Sequence, residues 1–308
     1  MKIIFFGSDD FAEAHVRSLI DSGHELLACV TQPDRPKGRG MKVVVSPIKE
    51  CALERRIPVL QPASLKDASF IKDLKDLQSD LFVVIAYGKF LPPEVLDIPL
   101  HGALNVHASL LPKYRGAAPI NWAIINGEKE TGISVIKINE KMDAGDILAQ
   151  VEIKIEEDET APSLRAKMMN QGPPFLLRTI NDLPSCALKI QDHDLATFAV
   201  KLTKELGHIE WGSDARGICN LVKGLLMWPG AYTFYNGKLL KILEAQVLDG
   251  DSSKNKPGTV SGVGKKGIVV STGNGRLLIK EVHLQDAKPM DAHSFVVGHA
   301  IEVGYKFV

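Results

Sequence analysis

Leu81-Phe82-Val83-Val84-Ile85-Ala86 is six apolar residues in a row, and Ile3-Ile4-Phe5-Phe6 is four, closed by Gly7. A strand with one wet face alternates polar and apolar residues. An unbroken run must be covered on both faces, as in a parallel sheet flanked by helices. After Gly7, Ser8-Asp9-Asp10 offers a helix N-cap, and Phe11, Ala14, His15 and Leu19 follow at helical spacing. Residues 26–31 read as the next strand. This β-α-β opening predicts an α/β fold with an N-terminal Rossmann-like parallel sheet. Only Gly7 stands where a dinucleotide fingerprint needs three glycines, so NAD or FAD is not expected.

Residues 46–48 begin a helix, with Ser46 as N-cap and Pro47 at its first position, and 64–77 form an amphipathic one. A long helix runs to Ile180, with a kink or break expected at Pro173-Pro174. Texture changes after Asp182. Further on, Tyr232-Thr233-Phe234-Tyr235 and Leu239-Leu240-Lys241-Ile242-Leu243 flank Asn236-Gly237, a strong hairpin signal. Short strands follow to about residue 279, a pattern that fits a small β-barrel (OB-like) domain and equally another small barrel. The 308 residues therefore divide into a catalytic domain 1–183, a linker 184–207 and a barrel 208–308.

Lysine plus arginine and aspartate plus glutamate both number 37, a formal net charge of zero. That excludes a uniformly basic nucleic-acid binder and leaves room for a local basic patch. One such patch is the loop 32–42. From Asp34 onward it sets Arg35, Lys37, Arg39 and Lys42 against one aspartate, a net of +3. Its two prolines and two glycines predict no regular element. Residues 205–308 hold 12 basic against 10 acidic residues, a mild +2. The four cysteines are widely spaced, so no zinc or disulfide site is expected. The opening apolar run is too short for a signal peptide, which places the protein in the cytosol with no membrane partner.

The chemistry is concentrated at Asn105-Val106-His107-Ala108-Ser109-Leu110-Leu111-Pro112-Lys113-Tyr114-Arg115-Gly116. If 102–104 begin a strand, Asn105 and His107 share one face where it gives way to loop. In open α/β sheets ligands bind at such carboxyl ends. A carboxamide can donate to an oxygen that turns negative under attack, and an imidazole can exchange protons near neutrality. Ser109 lacks the glycine elbow of an activated nucleophile, which points to direct acyl transfer without an acyl-enzyme. Asp143, in a loop between two strands, would fix the tautomer of His107 if brought against it. Gly88 lies in the loop after 81–86, suited to present amides to a flat heterocycle.

The long stretch through Gly116, with Ala117-Ala118-Pro119-Ile120, Glu130-Thr131-Gly132 and Met142-Asp143-Ala144-Gly145-Asp146, resembles the folate-dependent formyltransferases. The resemblance covers nearly the whole chain. It implies 10-formyltetrahydrofolate as donor co-substrate and no metal. It implies Asn105, His107 and Asp143 as the catalytic set, Ser109, Leu110, Leu111 and Pro112 as folate contacts, and Gly88 in the loop lining the pterin pocket. The basic loop and the stretch 191–199 with Ile209-Glu210-Trp211 resemble the members that formylate initiator methionyl-tRNA. Arg39, with Lys37 and Lys42 beside it, would then engage the tRNA. No protein partner is implied. Two other readings stay open: a formyltransferase for an amino sugar nucleotide or a formyl-folate hydrolase, and a non-catalytic RNA-binding protein. Arg39→Ala is expected to weaken activity on tRNA and leave folate binding intact. Unchanged tRNA kinetics would remove the loop from the mechanism.

Overall fold

The computed structural model describes residues 1–37, 42–248 and 255–308, with backbone alone at 35–37 and 42–43. The chain forms two compact units. One holds residues 1–116, 130–154 and 165–198, the other 117–129, 155–164 and 199–308. The stretch 184–207 is thus divided at residue 198.

The first unit is built on a seven-stranded sheet. Its strands are β1 (Lys2–Gly7), β2 (Glu25–Val30), β3 (Val59–Leu60), β4 (Leu81–Ile85), β5 (Ala103–His107), β6 (Glu130–Lys137) and β7 (Ile147–Lys154), in the order β7-β6-β5-β4-β1-β2-β3. β1 to β5 pair in parallel, and every residue of β4 is buried. This is the double coverage that its unbroken apolar run demands. β6 and β7 add an antiparallel edge, so the sheet is mixed.

The helices follow their caps. α1 (Asp10–Ile20) starts at Asp9, whose carboxylate accepts from Ala12 N at 2.9 Å. α2 (Pro47–Glu54) starts at Ser46 with proline in its first turn, and α3 (Ala68–Asp76) is capped by Asp67. α4 (Ala161–Asp182) runs as one 22-residue helix through Pro173 and Pro174. The expected break does not occur, because burial of Met168, Leu176 and Ile180 on one side holds the helix where local propensity would end it. The basic loop also departs from expectation. Its flanks form a short antiparallel ladder, Arg35 opposite Val44, Pro36 opposite Val43 and Lys37 opposite Lys42. Two isolated strands leave outer edges free, and Pro36 needs no ladder N–H there.

In the second unit, α5 (Ala215–Leu225) and α6 (Ala292–His299) pack on the strands β8 (Ala231–Tyr235), β9 (Lys238–Leu248), β10 (Val260–Gly264), β11 (Gly267–Ser271) and β12 (Arg276–Leu284). The ladder order is β8-β9-β12-β11-β10, antiparallel throughout. Asn236 and Gly237 turn the first hairpin with φ of 48° and 76°, as a tight primed turn requires. The two edge strands are joined through residues 305–308: Val260 N donates to Tyr305 O at 2.8 Å and Phe234 N to Val308 O at 3.1 Å. The arrangement is compatible with a small barrel. Ile242, Ile268, Leu277, Ile279 and Phe295 fill its core.

His15 of α1 is fully buried. Its Nδ1 meets Phe11 O at 2.8 Å, and Nε2 has no hydrogen-bond partner among the described residues. A Cβ on Gly172 of α4 would stand 2.5 Å from that Nε2, so glycine permits the contact between the two helices. Burial pushes the imidazole pKa down to about 4, against the bond to Phe11. The unfolded chain takes up this proton near the ordinary 6.5, while the folded chain resists to about 4. Stability is therefore complete above pH 6.5 and falls as the pH drops through that window, by roughly 3 kcal/mol in all. His15→Gln is expected to flatten this part of the urea-stability profile between those pH values; an unchanged slope would refute it.

Candidate active site

Asn105 and His107 stand on the last residues of β5. Asn105 lies opposite Val84 of β4 and Ile136 of β6, and His107 opposite Ser134. β6 runs against β5, so its last residue, Lys137, lies beside Leu104, near the start of β5. The loop 138–146 must fold back along the sheet to bring Asp143 to the two side chains. Gly145 makes that return possible: a Cβ there would lie 1.7 Å from Lys137 O.

The three side chains meet. Asp143 Oδ1 lies 3.4 Å from Asn105 Nδ2 and 3.6 Å from His107 Nδ1, and Oδ2 accepts from Gly116 N at 2.8 Å. His107 is 6% exposed, so the imidazole lies largely out of water. Its Nε2 lies 2.8 Å from Tyr114 O. A carbonyl only accepts, so in the neutral ring the hydrogen is on Nε2 and the Nδ1 lone pair faces Asp143. The tautomer expected to be set by Asp143 is set by Tyr114, since 3.6 Å is longer than a hydrogen bond. Asp143 acts as a charge beside Nδ1, placed to stabilise an imidazolium if one forms.

The segment after β5 is held from β6 and β7. Ser134 Oγ donates to Ser109 O at 2.6 Å and accepts from Leu111 N at 3.0 Å, while Gln150 Nε2 donates to Leu111 O at 3.0 Å. Ser109 Oγ donates to Lys113 O at 2.6 Å and is fully buried. Leu111 is buried; Leu110 and Pro112 are half-buried. Gly88 follows β4, whose neighbour is β5, and takes φ of +79°. Tyr87 O before it accepts from Gln32 Nε2 at 2.7 Å. Arg39 lies outside the described residues, and of Lys37 and Lys42 only the backbone is described.

Sequence reasoning missed Tyr114, Ser134, Gln150 and Gln191 as supports of the site. Ser134 did carry a signal, a lone hydroxyl within Ile133-Ser134-Val135-Ile136. Tyr114 and Gln191, which donates to Asp143 O, lay inside the stretches 105–116 and 191–199 with no role assigned to either, and Gln150 carried no signal.

A strand end that presents carboxamide, imidazole and carboxylate together suits acyl transfer. Comparison with known proteins agrees. Residues 1–180 match the family model described as formyl transferase, and 201–300 match its C-terminal domain. The chain belongs to the formyl transferase family. A methionyl-tRNA formyltransferase of Caldanaerobacter subterraneus is 46% identical over 99% of this chain and 99% of its own. One from Acetivibrio thermocellus is 45% identical over 99% and 98%. Among solved structures, a sugar 3N-formyl transferase crystallised with dTDP and 5-N-formyl-THF shares the fold, with a TM-score of 0.68 at 17% identity, covering 94% of this chain and 99% of that one.

Gly145→Ala must displace the loop that carries Asp143. It is expected to cost about 1–3 kcal/mol in urea unfolding and to lower activity. Wild-type values of both would show that the loop has other room.

Proposed function

We propose that the protein transfers the formyl group of 10-formyltetrahydrofolate to the α-amine of methionyl-initiator tRNA. The observation that carries this reading is the meeting of Asn105, His107 and Asp143 at the end of β5 in a chain 46% identical along its length to a methionyl-tRNA formyltransferase. The amine attacks the formyl carbon, and the carbonyl oxygen gains negative charge. Asn105 Nδ2 spends one N–H on Asp143 and has a second for that oxygen. The amine's proton passes to Nδ1 of His107, and the Asp143 carboxylate balances the charge. The carbon–N10 bond then breaks, and that proton goes to the folate nitrogen as it leaves. No acyl-enzyme forms.

The turn Ser109-Leu110-Leu111-Pro112 after β5, of which Leu110 and Pro112 are half-buried, contacts the folate together with the loop at Gly88. Arg39, Lys37 and Lys42 contact tRNA phosphates, so raised salt weakens tRNA binding.

The test offers Met-tRNA, an amino sugar nucleotide and water to the enzyme with the formyl donor. Formyl on Met-tRNA is the expected product; formyl only on the sugar, or free formate alone, would replace the reading. In the same assay Asn105→Ala and His107→Ala should each lower kcat by about 10²–10³. Near-normal turnover in both would remove the site.

A further inference from the structure

Residues 191–197 lie between the stretches that match the two family models. We propose that they belong to the catalytic apparatus, with Gln191 and Thr197 as positioning residues for Asp143 and Tyr114. This rests on the site reading given above.

Asp143 and Tyr114 are non-glycine residues of the site in left-handed backbone, with φ of 50° and 59°. Such a conformation is strained for a residue that carries a Cβ and needs outside support. Gln191 supplies it at Asp143. Its Nε2 donates to Asp143 O at 2.8 Å and to Gly145 O at 2.6 Å, bridging the turn. Its Oε1 accepts from Arg115 Nε at 3.1 Å and Nη2 at 2.6 Å. Gln191 is 3% and Arg115 6% exposed, so water replaces none of these bonds at low cost. Arg115 Nη2 also lies 2.9 Å from His193 Nδ1, which must accept because guanidinium only donates.

Thr197 supplies the second support. Its Oγ1 accepts from Tyr114 N at 2.9 Å, and its carbonyl accepts from Arg115 N at 2.9 Å. Tyr114 is the residue whose carbonyl takes the Nε2 hydrogen of His107. One short segment therefore holds both groups that address the imidazole, one from each side of the ring. Only a carboxamide serves at 191. It donates twice to carbonyls and accepts from a guanidinium at once, whereas a carboxylate would turn an acceptor toward two acceptors.

Kinetics of the full chain test this, with melting temperature measured for every variant. Gln191→Glu, which keeps the size and the acceptor for Arg115, should lower kcat about 10–100-fold while KM for donor and acceptor stays within about threefold. Added to Asp143→Ala, it should cost no more than about a further twofold. Thr197→Val should behave the same way against His107→Ala. Wild-type kcat in Gln191→Glu, or losses that multiply in both pairs, would overturn the proposal. Imidazole ¹H–¹⁵N spectra add a readout free of activity. Wild-type His107 should show the Nε2–H form, and Thr197→Val should move it toward a mixture of tautomers; an unmoved spectrum counts against Thr197. A wild type inert toward Met-tRNA whose spectrum still answers to Thr197 would sink the proposed reaction and leave the positioning standing.

Discussion

The hydrogen on Nε2 of His107, given to the carbonyl of Tyr114 at 2.8 Å, is the contact on which the chemistry proposed for this site depends. It spends the ring's donor on the backbone and leaves the Nδ1 lone pair for proton traffic. If that bond were lost, the ring could rotate or change tautomer, and in the proposed reaction Asn105 would face an oxyanion with no base beside it. The carboxylate of Asp143 lies too far for a hydrogen bond to the ring, so its contribution is charge, while direction comes from Tyr114. These are separate tasks, and a triad read by residue type alone would merge them.

That division places demands on the backbone. Tyr114 and Asp143 both sit where β-carbons are unwelcome, and Gly145 passes so close to Lys137 that no side chain fits. The supports for these conformations come from far along the chain, from Gln191 and Thr197 beyond α4, while Ser134 and Gln150 on the antiparallel edge hold the turn at Ser109 and Leu111. A buried polar network is favourable only when every member is satisfied. Here Gln191 uses both its carboxamide ends, and Ser134 both donates and accepts.

Much of the architecture was legible without coordinates. Unbroken apolar runs became buried parallel strands, Asp9 and Ser46 became caps, and Asn236-Gly237 became a hairpin turn. Errors arose where neighbours overrule local preference. Pro173 and Pro174 should interrupt a helix, but the buried side of α4 carries it through. The prolines and glycines of 32–42 argued against regular structure, yet the flanks pair. The antiparallel edge was also missed, because an apolar strand of β6's length reads alike in either direction.

By itself the sequence determined the periodicities that make this an α/β unit followed by antiparallel strands. It also placed Asn105 and His107 on one face of a strand end, since strand residues alternate sides whatever surrounds them. Only the tertiary structure decided which way β6 runs, and hence that the Asp143 loop must double back past Gly145. It alone assigned the ring's hydrogen to Tyr114 and brought Gln191 and Thr197 under the site. Tyr114 meets His107 only because the turn between them folds back on the strand, and Gln191 and Thr197 reach the site from tens of positions away; no local pattern in the chain encodes either contact.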